Sequence, residues 1–244
     1  MLWISDVHGN IGKVRTFLEY KPEIPHGIAG DYFDSFIASD EQIIETFNYI
    51  MAHDNVITLS GNHDNQYFKN ATVNQRCSGL RSSYEFVKLI ENYKDRLLGA
   101  YVDNDYIVTH AGVHPMLYKP FNNINELAEW INSEFEDFKN NPDPNKSVGF
   151  NSKIFNIGSC RGGYHSWGGP FWFDYRYEKL ANINQVFGHT KSSEGIKLLG
   201  HNSKYNVVMV DTVKFECYNT ETHEIEDFMP EEVKQYRSQV EVCF

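Results

Sequence analysis

The chain opens with Leu2-Trp3-Ile4-Ser5-Asp6-Val7-His8-Gly9-Asn10, a short apolar run followed by an acid, a histidine and a glycine. The apolar run predicts a buried β-strand, and Gly9-Asn10 predicts a turn into a helix. Asp6 and His8 are two residues apart on the extended exit from the strand, so both side chains point the same way. A carboxylate and an imidazole in this arrangement can bind one divalent cation.

Four later blocks repeat this pattern, in which Asp, His or Asn stands beside glycine after a short apolar run. The blocks are Gly30-Asp31-Tyr32-Phe33-Asp34, Gly61-Asn62-His63-Asp64, His110-Ala111-Gly112 and Gly188-His189-Thr190. Amphipathic helices are predicted between some of these strands, at residues 40–52 with Asp40 as the N-cap and at residues 126–139. Such alternation predicts a mostly parallel sheet with its functional residues at the carboxyl ends of the strands.

The rest of the chain is predicted to complete one α/β domain over residues 1–244, because no linker divides it. Residues 67–98 are predicted to be helical and surface-exposed, and the glycine-rich, aromatic stretch 158–176 is predicted to be a loop. The alternating runs 205–210 and 214–218 favour antiparallel strands.

Six side chains from the five blocks form a candidate site for two metal ions. They are Asp6, His8, Asp31, Asn62, His110 and His189. The Asp31 carboxylate can bridge two ions, since it has two oxygens. Two ions roughly 3.5–4 Å apart can hold a bridging hydroxide and clamp a phosphoryl group for in-line attack. The pattern therefore favours metal-dependent hydrolysis of phosphoesters.

His63 and Asp34 remain in the blocks and fit a catalytic pair. His63 follows Asn62 and would stand near the leaving-group oxygen, where it can act as a general acid. Asp34 could accept the other ring proton and fix the tautomer. Asp64 is interpreted as a capping or supporting residue.

All five blocks, in this order, resemble the calcineurin-like metallophosphoesterases. The resemblance extends from Asp6 to His189 and implies a four-layer α/β/β/α sandwich with a central mixed β-sandwich, in place of a simple parallel sheet. It also implies two divalent ions at the strand ends, commonly Mn²⁺, with Fe or Zn²⁺ as alternatives, held by the six residues above.

Within that family, the bare Gly188-His189-Thr190 block and His110-Ala111-Gly112 resemble the branch of Ser/Thr protein phosphatases and diadenosine tetraphosphate hydrolases. Ser35, however, stands where that branch carries a phosphate-clamping Arg. Related phosphatases also have an Arg in a glycine-rich loop between the last two histidine ligands. Arg161 is therefore predicted to bind substrate together with Asn62, and Arg176 is a second candidate for the clamp.

The expected function is that of a phosphomonoesterase of the Ser/Thr protein phosphatase type, acting on a phosphorylated protein or a small phosphoester. One alternative is a nucleotide or dinucleoside polyphosphate hydrolase or phosphodiesterase, which suits the missing Arg at Ser35. A non-catalytic binding module of the same fold is the other alternative, but such proteins usually lack ligands or the general acid, and all are present here.

Charge and cysteine usage limit the remaining possibilities. A formal net charge of -11 argues against broad nucleic-acid binding, which needs a basic face. Four scattered cysteines (Cys77, Cys160, Cys217 and Cys243) and a first strand without a leader before it favour a cytoplasmic protein with reduced thiols. No apolar stretch approaches about 18 residues, so no membrane span is expected. A cysteine phosphatase loop is rejected, because only three residues separate Cys77 from Arg81.

Overall fold

Two β-sheets face each other in the computed structural model, which describes residues 1–71, 77, 79–81, 84–140, 152–200 and 204–230. The strands are β1 (Leu2–Ile4), β2 (His26–Ile28), β3 (Ile57–Leu59), β4 (Leu97–Leu98), β5 (Ala100–Asp103), β6 (Tyr106–Thr109), β7 (Gln185–Phe187), β8 (Lys197–Leu198), β9 (Val207–Met209), β10 (Glu216–Asn219) and β11 (Glu224–Asp227). The α-helices are α1 (Ile11–Glu19), α2 (Asp40–Met51), α3 (Asn62–Asn65), α4 (Tyr84–Tyr93), α5 (Pro115–Tyr118) and α6 (Ile124–Asn140).

Both sheets are mixed. The first has the order β11-β10-β1-β2-β3-β4, with β1 to β4 parallel and β10 and β11 antiparallel. The second has the order β5-β6-β7-β9-β8, with β6, β7 and β9 parallel and an antiparallel strand on each edge. The expectation of a mostly parallel sheet therefore holds for β1 to β4 and for β6, β7 and β9, which include all five strands that precede the blocks of acid, histidine and glycine.

Successive side chains along a strand point to opposite faces of its sheet and pack into two different layers of the sandwich. Trp3 of β1 packs with Tyr106 and Val108 of β6 in one cluster between the sheets. The neighbouring side chains of β1 and β6, Ile4 and Ile107, belong to a second cluster that also contains the buried faces of α1, α2 and α6. Period-two alternation thus gives each strand one face toward the other sheet and one toward helices. The α/β/β/α sandwich is confirmed, whereas the single-domain boundary stays a prediction.

The helices that lead away from the first two blocks begin at capping side chains. The Asn10 side chain accepts a hydrogen bond from the Lys13 backbone N–H at the start of α1. At α2 the N-cap is Ser39 rather than Asp40, because Ser39 and Gln42 form a capping box. The first cap follows Asp6 and His8, and the second follows Asp31 and Asp34. Each cap therefore fixes where the loop that carries these functional side chains ends.

Two segment predictions hold only in part. Within residues 67–98 the α-helix comprises only Tyr84–Tyr93, and Phe86 and Ile90 in it are fully buried; residues 72–76, 78 and 82–83 lie outside the described residues. The predicted strand at 214–218 is confirmed, because Glu216–Asn219 pairs antiparallel with both β1 and β11. The other run contains Val207–Met209, which pairs antiparallel with β8 but parallel with β7. Residues 158–176 form a loop as predicted, with a short 3₁₀ turn at Ser159–Arg161.

No described helix combines the length and apolarity that crossing a membrane requires.

Candidate metal centre

All six predicted ligand residues lie at the carboxyl ends of five strands drawn from both sheets. The first sheet supplies Asp6 and His8 after β1, Asp31 after β2 and Asn62 after β3. The second sheet supplies the remaining two, His110 after β6 and His189 after β7. The strands within each group are parallel neighbours, so their ends meet at one edge of the sandwich.

The backbone at this edge takes an unusual conformation. Five non-glycine residues there have left-handed φ angles: 52° at Asp6, 41° at His8, 59° at Asp31, 60° at Asp34 and 68° at His189. Asp and His adopt this region more readily than branched residues, although it remains uncommon. The sharp turns after the strands direct these side chains into a common space.

Glycines make the close approach of the loops possible. A Cβ atom at Gly61 would lie 2.1 Å from Asp31 Oδ1, and one at Gly188 would lie 2.2 Å from Asp6 Oδ2. Any larger residue would therefore displace a candidate ligand. Gly61 and Gly188 are therefore needed for the positions of Asp31 and Asp6.

One group of ligand atoms forms around His110. Its Nε2 lies 2.8 Å from Asn62 Oδ1, 3.1 Å from His189 Nδ1 and 3.4 Å from Asp31 Oδ2. His189 Nδ1 is also 2.8 Å from Asn62 Oδ1. The ligand atoms of Asp31, His110 and His189 all lie within 4.8 Å of one another, close enough to surround one ion.

A second group shares Asp31 with the first. Its members are Asp6, His8 and Asp31, whose ligand atoms also lie within 4.8 Å of one another. His8 Nδ1 is 2.7 Å from the Phe33 carbonyl oxygen, to which it donates, so Nε2 is the ring nitrogen that faces the group, 3.8 Å from Asp31 Oδ2. Asp31 therefore belongs to both groups of ligand atoms.

The contacts around His110 fit bound cations. Its Nδ1 donates to the Ala29 carbonyl oxygen, so the lone pair on Nε2 faces two acceptor oxygens, those of Asn62 and Asp31. Burial lowers the pKa of His110, which disfavours a second ring proton. Burial also raises the pKa of Asp31 to about 6, an effect that the neighbouring His63 partly offsets. Acceptors packed against each other at a buried point repel unless a cation lies among them, so the donor set suits a metal.

His63 and Asp34 form the hydrogen bond that the sequence predicts. His63 Nδ1 is 2.9 Å from Asp34 Oδ2, and the carboxylate is fully buried. Burial alone would lower the pKa of His63, but the Asp31 and Asp34 carboxylates outweigh it and raise the pKa to about 9. Since Nδ1 is held by Asp34, the Nε2 atom remains for a substrate.

Asp64 supports the loop that carries Asp31. Its carboxylate accepts backbone N–H groups from Asp31 and Gly61 at 2.8 and 2.7 Å, and a third from Tyr32 at 2.8 Å. Burial raises the pKa of Asp64 to about 7. The supporting role expected from the sequence agrees with these contacts.

Arg161 lies beside the site, held by two partners. One guanidinium nitrogen donates to Thr190 Oγ1 at 3.0 Å, and Nε forms an ion pair of 2.9 Å with Asp174 Oδ2. Arg176 binds the same carboxylate through Nε and a terminal nitrogen. Among the described residues Arg161 lines the cleft and Arg176 does not, which favours Arg161 as the phosphate clamp.

The cleft above the ligands has a volume of about 1030 Å³. Its floor includes Asp6, His8 and Asp31, and its walls include both Arg161 and the apolar pair Phe36 and Ile37. Phe36 and Ile37 are 85% and 98% exposed. The cleft therefore combines a polar, ligand-rich floor with an apolar rim.

Three supporting residues escaped the sequence analysis. Gln66 and Tyr67 both donate to the Asp34 carboxylate, and Asp174 holds Arg161. Gln66 and Tyr67 follow His63 by three and four residues, which is the spacing of one helical turn and could have identified them. Asp174 has no comparable signal, because it meets Arg161 only through the folded loop.

Comparisons with known proteins bear on the family and the fold of the chain. A family model described as calcineurin-like phosphoesterase matches residues 1–193. No curated protein matched the chain.

Solved structures show the likeness of the fold. A cold-active protein tyrosine phosphatase of a Shewanella species is 19% identical, with a TM-score of 0.55 over 86% of this chain and 70% of that chain. A mutant of a cold-active protein tyrosine phosphatase is 20% identical, with a TM-score of 0.59 over 86% and 70% of the two chains. A protein serine/threonine phosphatase from Saccharomyces cerevisiae is 17% identical, with a TM-score of 0.50 over 87% and 67%. At these identities the likeness concerns the fold alone.

Proposed function

Because the chain belongs to the calcineurin-like phosphoesterase family, it is a metal-dependent phosphoester hydrolase, and we propose that it acts on phosphomonoesters, with phosphorylated serine or threonine in proteins as the favoured substrate. The observation that carries this proposal is the His63–Asp34 pair at the edge of the ligand cluster. The alkoxide released from a phosphorylated serine or threonine is a poor leaving group, so its departure requires a proton from a well-placed acid.

We assign the roles in the site as follows. Asp6, His8 and Asp31 would hold one ion, and Asp31, Asn62, His110 and His189 would hold the other. When bound, two divalent ions activate water and neutralise charge on the phosphoryl group.

The side chains around the ions orient the substrate. Asn62 and Arg161 bind phosphoryl oxygens, the latter through its guanidinium held by Asp174. His63 transfers the proton from Nε2 to the leaving oxygen, while Asp34 keeps the ring in place.

We propose Mn²⁺ as the preferred ion, with Fe or Zn²⁺ as alternatives. The donor set combines three carboxylate or amide residues (Asp6, Asp31 and Asn62) with three imidazoles. Mixed oxygen and nitrogen donors suit these borderline ions better than Ca²⁺, which prefers oxygen ligands alone.

Two features of the cleft favour a protein substrate. The volume of about 1030 Å³ exceeds what a phosphoryl group alone requires, and the exposed Phe36 and Ile37 line the same cleft. They can contact apolar residues next to a phosphorylated side chain.

We propose a cytoplasmic location, since the cysteines are scattered through the sequence, and we expect no broad nucleic-acid binding at a net charge of -11.

The test compares the Mn²⁺-dependent hydrolysis of an aryl phosphomonoester with that of the matching diester, followed by phosphoserine and phosphotyrosine peptides of one sequence. We expect a large preference for the monoester and then turnover of the phosphoserine peptide. A preference for the diester would move the assignment to nucleotide or dinucleoside polyphosphate hydrolysis, which the missing clamp Arg at Ser35 would then explain. Metal binding without turnover of any phosphoester would favour the binding module.

A further inference from the structure

Cys77 lies in the wall of the cleft, where it meets the candidate ligand Asn62. The Asn62 side-chain amide donates from Nδ2 to Cys77 Sγ at 3.1 Å, and the thiol donates to the Asn62 backbone carbonyl oxygen at 3.1 Å. The Cys77 thiol therefore both accepts a hydrogen bond from Asn62 and donates one to it. The five blocks of the sequence do not include Cys77, and the rejected cysteine phosphatase loop gave it no other role.

This pairing determines which end of the Asn62 amide faces the cluster. With Nδ2 held by Cys77, Oδ1 lies 2.8 Å from His110 Nε2 and 2.8 Å from His189 Nδ1. The reversed amide would place an NH₂ group among the ligand atoms, and an amide NH₂ does not bind a cation.

The backbone of Cys77 extends the connection to the proposed general acid. Its N–H donates to Gln66 Oε1 at 2.9 Å, and Gln66 Nε2 donates to the Asp34 carboxylate that holds His63. A substitution of the Cys77 side chain leaves this backbone link in place. The side-chain and backbone contacts of Cys77 can therefore be tested separately.

We propose that Cys77 is a positioning residue for the metal centre, whose thiol holds the Asn62 amide with its oxygen toward the ions. The inference rests on the proposed function in one respect, because it takes Asn62 to be a metal ligand. Residues that orient metal ligands typically change metal affinity by about 10–100-fold when they are removed.

The experiment measures Mn²⁺ binding to the whole protein by titration calorimetry, without substrate, for the wild type, Cys77→Ala and Cys77→Ser. We expect Cys77→Ala to weaken the binding of one ion by about tenfold or more. Cys77→Ser retains both a donor and an acceptor and should lose about threefold or less. Saturating Mn²⁺ should restore most of the kcat of Cys77→Ala, which a general loss of structure would not allow. The control is Cys160→Ala, since that exposed thiol contacts Glu178 outside the cluster.

A double-mutant cycle distinguishes positioning from indirect damage. In an Asn62→Ala background, Cys77→Ala should cause no further loss of Mn²⁺ affinity, because the amide that it orients is gone. If Cys77→Ala does not fold, Cys77→Val, which keeps the volume, takes its place in the cycle. Unchanged Mn²⁺ affinity in folded Cys77→Ala or Cys77→Val would overturn the inference alone, whereas a wild-type protein that binds none of Mn²⁺, Fe²⁺ and Zn²⁺ and hydrolyses no phosphoester would overturn the proposed function.

Discussion

Asp34 accepts hydrogen bonds from three side chains that come from one turn of the following segment. His63, Gln66 and Tyr67 all donate to its buried carboxylate. A carboxylate with several fixed donors can hold an imidazole ring in one plane and one tautomer. The direction of His63 Nε2 is therefore set by residues that never contact the substrate.

Replacing His63 by Asn should affect substrates according to their leaving group. Asn can keep the hydrogen bond to Asp34 but offers no acidic proton, so kcat on a serine phosphomonoester should fall about 10²–10³-fold. The fall on 4-nitrophenyl phosphate should be much smaller, since nitrophenolate leaves without protonation. Steady-state kcat on both substrates at saturating Mn²⁺ gives the comparison. An equal loss on both would contradict the assignment of His63 as the general acid.

At the scale of residues, the sequence identified those that carry their own signal. Asp6, His8, Asp31, Asn62, His110 and His189 stand beside glycine at predicted strand ends, and the structure brings all six together. Cys77 and Asp174 were not identified, because neither belongs to a block of acid, histidine and glycine at a strand end, and their partners lie across loops, 15 and 13 residues away in the chain. Hydrogen-bond partners at such separations depend on loop geometry, which residue periodicity does not describe.

At the scale of elements, His26 connects the start of β2 with the end of α1. Its Nε2 donates to the Tyr20 carbonyl oxygen at 2.9 Å, and the ring packs edge-on against Phe17 at 4.7 Å. Burial lowers the pKa of His26 below its usual value of 6.5, although backbone carbonyls partly counteract this. The folded protein therefore binds this proton less tightly than the unfolded chain does.

The free energy of unfolding should fall as the pH decreases below about 6.5, in part because of His26. Above that pH the ring is neutral in both states, whereas below it the unfolded state takes up the proton first. In His26→Gln, which retains a donor for Tyr20, the slope between pH 5 and 7 should be shallower than in the wild type. Urea unfolding in EDTA at several pH values measures this slope, and His165→Gln, at an exposed side chain, is the matched control for the substitution. Equal slopes for His26→Gln and wild type would contradict the prediction.

The positions of most strands follow from the sequence, whereas strand direction does not. Apolar runs before glycine identify β1, β2, β3, β6 and β7, because burial and turn chemistry are local properties. Val207–Met209 looked antiparallel because it alternates, yet it pairs parallel with β7 in the centre of its sheet. Whether a strand pairs parallel or antiparallel depends on which strand lies beside it in the fold. The residues of one strand do not determine its neighbour.

At the scale of the whole molecule, the metal centre joins the two sheets. The first sheet contributes Asp6, His8, Asp31 and Asn62, and the second contributes His110 and His189. An ion bound among Asp31, Asn62 and the two histidines therefore links elements that are distant in the chain. Metal binding should stabilise the folded sandwich as a unit.

Addition of Mn²⁺ at about 100 times its dissociation constant should raise the free energy of unfolding by about 2.7 kcal/mol for one site. For a chain of this size that corresponds to a rise in Tm of roughly 5–10 °C. Asp31→Asn should lose most of this rise together with metal-dependent turnover, because Asp31 belongs to both ion sites. Scanning calorimetry with and without EDTA measures the shift, and Asp54→Asn, at a fully exposed carboxylate, is the matched control. A full Mn²⁺ shift in Asp31→Asn would argue against the bridging position.

The left-handed backbone at Asp6, His8, Asp31, Asp34 and His189 places a stability cost inside the cleft. Each of these residues costs the fold about 1–2 kcal/mol relative to glycine, which adopts that conformation freely. A glycine at any of the five positions would relieve this backbone cost, but it would also remove a carboxylate or an imidazole from the cleft. Variants selected for thermal stability alone are therefore expected to lose activity at these positions first.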